Sequence, residues 1–394
     1  MPTYHRLGTL PPKRHSIFRK SDGSLHPEEL VGNHGFVGPS TLLYHLHAPT
    51  RVEAIRHLKD VALVADPEPT FRHRHFKTGQ IGKGKSLTLD RQPLLFNSDV
   101  SMAFARVTEA DPFFYRNASA DELVYISDGV GTLESQMGSL QVRRGDYVVV
   151  PRGILHRFVF NGEAKCLIME SPGYIRTPKR YRNEYGQLLE SSPYSERDFR
   201  PPAELPVHDE AGEFKLVIKK GERLQEVTID HHPLDVVGWD GFYYPYAFNI
   251  GDFEPRVGRF HLPPPVHQTF ECDGFVVCSF CPRPFDFDSQ GVPAPYNHSN
   301  VMSDEVLYYA NSEFMSRKGI EYGSITLHPD GIPHGPHPGR TEESLGKPRT
   351  SELAVMMDTF RPLHVAMPAL AIEDKQYFRS WIEPSGSHPL TGGL

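Results

Sequence analysis

Cysteine is scarce in this chain. Cys166, Cys272, Cys278 and Cys281 are the only four in 394 residues, too few and too unevenly placed for a disulfide framework, so a reducing cytoplasm is the expected setting. Cys278 and Cys281 form a C-x-x-C, but no second pair answers it, and the surrounding FVVCSF reads as a buried strand in which cysteine acts as a small hydrophobe. Positive charge is also short: 42 Lys and Arg against 49 Asp and Glu leave a net charge of −7, which argues against nucleic-acid binding through bulk basic charge. No apolar run is long enough to cross a membrane as a helix. The basic first twenty residues have no apolar core of the kind a secretory signal needs.

Proline, glycine and histidine are plentiful instead, at 36, 33 and 21 residues. Proline is expelled from helix interiors, so long helices are disfavoured. The histidine surplus points to imidazole rather than thiolate in any metal site. Short β-rich runs at 121–127, 131–135, 139–142 and 147–150 are punctuated by SDGVG, MGS and RRGD, the pattern of an antiparallel meander. Strand-like runs resume at 214–218 and continue to 357, and 371–381 has the composition of a helix. The expected order is a β-rich N-terminal arm and sheet region (1–95), a metal-free barrel (96–175), a connecting excursion (176–230), a catalytic barrel (231–370), and a C-terminal helix with a tail (371–394).

An internal repeat underlies this division. Tyr115-Arg-Asn117 precedes Asp121-Glu122, and His298-Ser-Asn300 precedes Asp304-Glu305 at the same offsets. Gly145, Pro151, Gly153 and His156 fall in the spacing G-x5-P-x-G-x2-H, which Gly323, Pro329, Gly331 and His334 repeat. Two copies of one β-domain follow. In the second copy His298, an acid and His334 make two imidazoles and a carboxylate, the facial set associated with non-haem Fe(II). Asp304 and Glu305 are adjacent, and neighbours on a strand face opposite ways, so only one can serve as the acid; Glu305 is favoured and Asp304 is the alternative. The first copy keeps Glu122 and His156 but has Tyr115 in place of the first histidine, too few donors for a tight site.

The two-part pattern H-x-N-x4-E and G-x5-P-x-G-x2-H resembles that of the cupins, and its duplication resembles a bicupin. The strings 236–246 (VVGWDGFYYPY), 295–303 (PYNHSNVMS) and 323–336 (GSITLHPDGIPHGP) make the chain similar to the homogentisate 1,2-dioxygenases of the shorter bacterial type. The extra residue in Asp304-Glu305 departs from that family, which has one acid after Met-Ser. The resemblance implies an all-β fold of tandem cupin (double-stranded β-helix, or jelly-roll) domains with an irregular β-rich N-terminal region. It implies Fe(II) on His298, Glu305 and His334, His328 beside the substrate, and His267 as the base taking a phenolic proton, with His261 its rival. Tyr309, or Tyr308, would contact substrate. The expected reaction opens the ring of homogentisate with O2 to give maleylacetoacetate, in tyrosine and phenylalanine catabolism. The expected partners are a small aromatic acid and O2, with no nucleic acid or membrane, in a homo-oligomer that the resemblance makes a hexamer. Rival readings are a cupin dioxygenase acting on gentisate or another hydroquinone, a zinc-dependent sugar isomerase, and a metal-binding bicupin without catalysis.

Other signals are set aside. The string 79–86 (GQIGKGKS) satisfies G-x4-G-K-S, but its flanks are polar and β-like, so a glycine-rich hairpin turn is expected rather than a phosphate loop. His45-Leu-His47 and His73-Arg-His75 read as surface or interface histidines, and the basic cluster 72–85 as a solvated face or an approach for an anionic aromatic acid.

Overall fold

The computed structural model describes residues 3–382, so the tail expected at 383–394 lies outside the described residues. The fold is all-β, a tandem of cupin barrels with a β-rich N-terminal region; the one α-helix among the described residues is Arg340–Ser344. Two sheets serve the first half. One runs Gly138–Arg143, Val130–Ser135, His156–Phe160, Phe114–Asn117, Ala211–Lys220, Arg223–His231, Ala54–Asp60. The other runs Phe199–Arg200, Tyr246–Asn249, Asp146–Val150, Asp121–Asp128, Ala164–Ser171, Ser101–Val107, Gln92–Phe96, His364–Val365. A six-stranded sheet serves the second half in the order Gln268–Cys272, Phe275–Phe280, Ala354–Thr359, Asp304–Tyr309, Ser324–His328, Arg74–Lys77. His5–Gly8, Val236–Gly241, Ser40–His45 and Glu28–Gly32 form a separate four-stranded sheet. The four runs expected to form a meander are instead split between the two sheets: Val130–Ser135 pairs with Gly138–Arg143 in one, and Asp121–Asp128, buried on both faces up to its last residue, pairs with Asp146–Val150 in the other.

Several expected boundaries shift. The excursion expected at 176–230 contains the long hairpin of Ala211–Lys220 and Arg223–His231, which joins the first sheet parallel to Phe114–Asn117. Tyr246–Asn249 pairs with Asp146–Val150, so chain expected in the catalytic barrel belongs to the first half. Conversely, Arg74–Lys77, from the N-terminal region, pairs with Ser324–His328 and extends the sheet of the second half. The helix expected at 371–381 is absent; Met367–Ile372 and Tyr377–Arg379 are 3₁₀ turns. Tertiary bonds claim the backbone between them, since Asp374 N–H donates to His75 O (2.7 Å) and Phe76 bridges Glu373.

The string 79–86 is no hairpin either, because the strands before and after it lie in different sheets. Nor is it a phosphate loop: the Lys85 and Ser86 N–H groups donate to Asp90 Oδ2 at 2.8 and 3.0 Å. The pair His73/His75 and the neighbouring Arg74 are buried, not surface groups, as is His45. Arg74 is ion-paired with Asp66 (2.9 Å) and Glu373 (3.2 Å), so the basic cluster is only partly a solvated face.

The sequence repeat is reproduced in the pairing. Tyr115 lies opposite His156 in the first copy, and His298 bridges His334 in the second. Gly145, Gly153, Gly323 and Gly331 all have positive φ, 79–87°, so the spacing marks turns that other residues enter only with strain. The adjacent acids divide their labour identically. Asp121 accepts the N–H groups of Arg152 (3.0 Å) and Ile175 (3.1 Å), while Asp304 accepts those of Asp330 (2.9 Å) and Leu363 (2.7 Å). Each Asp pins the turn of its own copy, and each Glu faces the other way.

In the first copy Glu122 lies opposite Glu170 on the next strand. Arg91 Nη1 donates to both, at 3.2 and 2.7 Å, and the Lys219 ammonium also reaches Glu170. Tyr115 Oη and Asn117 Nδ2 donate to Glu122 at 2.9 Å each. Burial alone would raise the Glu122 carboxyl, but Arg91, His156 and Asn117 outweigh it and hold it at about 2. Here protein cations occupy the electrostatic role that a metal would play. The two halves share one apolar core through Tyr125, Tyr147, Phe270 and Tyr308, and Tyr147 Oη meets Ser279 Oγ at 2.9 Å.

Arg91→Met removes one side of a buried charge cluster and should destabilise the fold by about 3–5 kcal/mol, measured by chemical denaturation. Because the Glu122 pKa is lowered to about 2, its contribution is complete above its ordinary value of about 4.3 and is lost as pH falls towards 2. A pH series should show that loss in the wild type.

Candidate metal centre

Strand Asp304–Tyr309 carries Glu305 inward, the His298–His334 bridge brings two imidazoles to it, and Ser324–His328 adds a third. Glu305 Oε1 lies 2.8 Å from His328 Nδ1 and 3.4 Å from His334 Nε2, and Oε2 lies 3.6 Å from His298 Nε2. One donor atom each from His298, Glu305 and His334 fall within 4.8 Å of one another. Burial opposes the Glu305 carboxylate, yet His298, His328 and His334 together hold its pKa well below the usual range. Both ring nitrogens of His334 are buried without a hydrogen-bond partner. An orphaned imidazole nitrogen beside a buried carboxylate suits a divalent cation, since the ion would take the lone pair of a buried acceptor that otherwise costs about 1–3 kcal/mol. The residues present therefore fit the metal that the repeat suggests.

Of the two acids, the structure brings Glu305 to the histidines; Asp304 faces away, bound to backbone N–H groups. The other expected residues are placed differently from one another. His267, at the end of the 3₁₀ turn Pro264–His267, and His261 line one cavity with His298 and Glu305. His267 is the more buried of these two histidines and its Nδ1 has no partner. Burial, with Arg283 and His261 adding to it, pushes His267 down to about 3, so its imidazole is neutral at ordinary pH. His328 is fully buried behind Glu305 and does not line that cavity, so it supports the carboxylate instead of contacting substrate. Tyr309 is likewise buried away from the cavity, its hydroxyl 3.0 Å from Thr326 Oγ1, and Tyr308 faces the first half, where its hydroxyl meets Ser127.

The cavity has apolar walls that include Phe280, Leu307, Phe314 and Met356, with Arg256, Arg283 and Arg317 among its cations. Asp358, opposite Glu305 on the next strand, takes the place that Glu170 holds in the first copy. Burial first, and then Glu305, raise it to about 8, so it is a neutral acid near pH 7. Sequence reasoning missed Asp358, Arg317, His73, Tyr377 and Trp381. The H-x-H at 73–75 was the one available signal, and nothing local marks a strand that will pair 250 residues away.

A family description of the homogentisate 1,2-dioxygenase N-terminal region matches residues 100–250. A Saccharolobus solfataricus protein named "putative dioxygenase" is 44% identical over 381 residues, 96% of this chain and 98% of its own. The homogentisate 1,2-dioxygenase of Bradyrhizobium diazoefficiens is 28% identical over 274 residues, 66% of this chain and 60% of that enzyme. This chain belongs to the homogentisate 1,2-dioxygenase family. The family enzyme of Emericella nidulans is 29% identical over 57% of this chain and 51% of its own. Among solved structures, a cupin 2 conserved barrel domain protein from Leptotrichia buccalis is similar over 74% of this chain and 98% of its own, at 7% identity and a TM-score of 0.34.

Glu305→Gln should abolish tight divalent-metal binding, read as metal content after dialysis. Asp304→Asn should keep the metal stoichiometry and lower the melting temperature, because it weakens only the acceptor of two backbone N–H groups. Metal loss in Asp304→Asn but not in Glu305→Gln would reverse the assignment.

Proposed function

We propose that this protein is an Fe(II)-dependent ring-cleaving dioxygenase that converts homogentisate and O2 to maleylacetoacetate. The observation that carries the reading is the meeting of the His298/Glu305/His334 set with a cavity containing a neutral, unpartnered His267 and three arginines. His298, Glu305 and His334 would hold Fe(II), which when bound supplies the redox chemistry joining O2 to an aromatic ring.

The chain's own residues do the rest. Arg256 at the cavity wall favours an anionic side arm, while Arg283 is ion-paired with Glu352 at 2.8 Å. Phe280 and Phe314 offer faces to a planar ring, while Leu307 and Met356 keep water from it. His267 Nδ1 accepts a phenolic proton, raising the electron density of the ring. Ring carbon–carbon cleavage at the carbon bearing the side arm then places both atoms of O2 in the product, so no external reductant is required. His328, its Nδ1 2.8 Å from Glu305 Oε1, keeps that carboxylate in place.

The test is anaerobic reconstitution with Fe(II), followed by oxygen uptake and product absorbance with homogentisate and gentisate supplied separately. Uptake with homogentisate and formation of the ring-opened product are expected; none with homogentisate overturns the substrate, and uptake with gentisate alone transfers the assignment to it. His267→Gln should lower kcat by about 10²–10⁴ with metal content unchanged. Since the pKa of His267 is lowered to about 3, the base is already deprotonated from pH 5 upward. It should add no acid limb to kcat/KM in that range.

A further inference from the structure

The ring of His334 is buried at 2% exposure, and neither of its nitrogens has a hydrogen-bond partner. A histidine that holds a metal is ordinarily oriented by a carboxylate or carbonyl on its other nitrogen. That device is missing here, so the orientation of His334 comes from its backbone and from ring packing, stacked on His328 at 4.7 Å and edge-on to His298 at 4.3 Å. Its own N–H and C=O exchange bonds with His298 (2.9 and 2.8 Å), and the carbonyls of its two neighbours, Pro333 and Gly335, are held by side chains. Pro333 O lies 3.2 Å from His73 Nε2. Gly335 O accepts from Trp381 Nε1 at 3.1 Å and from Arg317 Nη1 at 2.6 Å. Gly335 itself has no room for a side chain, because a Cβ there would stand 2.1 Å from Asn297 Oδ1.

His73 and Trp381 also touch each other, with ring centroids 4.9 Å apart, and so join the N-terminal region to the C-terminal end of the described chain behind the site. His73 packs edge-on against His328 (5.4 Å) and His334 (6.0 Å). Trp381 is set by His337 at 4.4 Å and Tyr377 at 5.4 Å. The segment that delivers it is anchored by Glu373, which takes ion pairs from Arg72 (3.0 Å) and Arg74 (3.2 Å) on either side of His73. One ionic anchor thus brings both aromatic clamps into register.

We propose that His73 and Trp381 are positioning residues for His334, and that metal binding at the centre is coupled to docking of the C-terminal segment that carries Trp381. This rests on the reading of His298, Glu305 and His334 as a metal centre. Neither residue donates to the ion; His73 holds the peptide unit that enters His334, and Trp381 holds the one that follows Gly335, a residue further on. By linkage, whatever the docked segment adds to metal affinity the metal returns to the docking of the segment.

The chain supplies its own reporter. It has two tryptophans, and Trp239 is buried in the N-terminal sheet with its Nε1 bonded to Met137 O at 2.8 Å. Co(II) titrated into the full-length protein should quench the Trp381 part of the emission. Trp381→Phe should remove that quenching and weaken Co(II) binding about 10–100-fold by chelator competition. His73→Phe, which keeps the ring and drops the hydrogen bond, should weaken binding over the same range while the quenching remains. In the unaltered protein Co(II) should slow tryptic cleavage at the exposed Lys375 and Arg379, a readout that needs no variant to fold. A wild type that binds no Co(II) overturns the metal centre itself. A wild type that binds, with unchanged affinity in both variants or with equal cleavage rates, overturns this coupling and leaves the centre standing.

Discussion

Each half of this protein buries a carboxylate on a central strand, and the surroundings are arranged to keep that charge. A buried, unpaired carboxylate would cost several kcal/mol or give up its ionised form. Glu122 and Glu305 occupy equivalent places, yet they are neutralised by different means. Around Glu122 the counter-charges are covalent parts of the chain, Arg91 and Lys219, and the resulting cluster is closed. Around Glu305 they are imidazoles, whose charge is conditional and whose nitrogens remain free to serve as ligands. One duplicated scaffold thus holds one closed charge cluster and one cluster of potential metal ligands.

The partner carboxylates extend the parallel. Glu170 faces Glu122 and is satisfied by the same arginine and a lysine. Asp358 faces Glu305 with no such cation beside it, and burial and repulsion raise it to about 8. A site with one ionised and one neutral acid requires less compensating charge than a site with two ionised acids. That leaves the histidines of the second half free for chemistry where the first half must spend its cations on structure.

Much of the centre was legible in the sequence because it is local and repeated. The turns at Gly145, Gly153, Gly323 and Gly331 impose positive φ, a constraint that leaves a readable residue type at a fixed spacing. His298, Glu305 and His334 lie within 37 residues and hang on those turns. The paired acids were ambiguous from strand alternation alone, since either parity is self-consistent. Asp304 and Glu305 were distinguished only when the backbone donors of Asp330 and Leu363, brought from other strands, met the former. His328 shows the reverse error. The resemblance placed it beside the substrate, but its strand turns it towards Glu305 and away from the cavity.

By itself, then, the sequence determined the duplicated all-β architecture and singled out His298, His334 and one of two adjacent acids, since periodicity and turn geometry act within one or two strands. Only the tertiary structure decided what stands behind that centre. His73 arrives on a strand borrowed from the N-terminal region, and Trp381 arrives on turns where a helix was expected. Their contact depends on pairing between segments some 300 residues apart, and no local pattern records it. The physical reason is that a side chain's type follows from its immediate strand and turn, whereas its partners follow from the register of strands that meet only on folding.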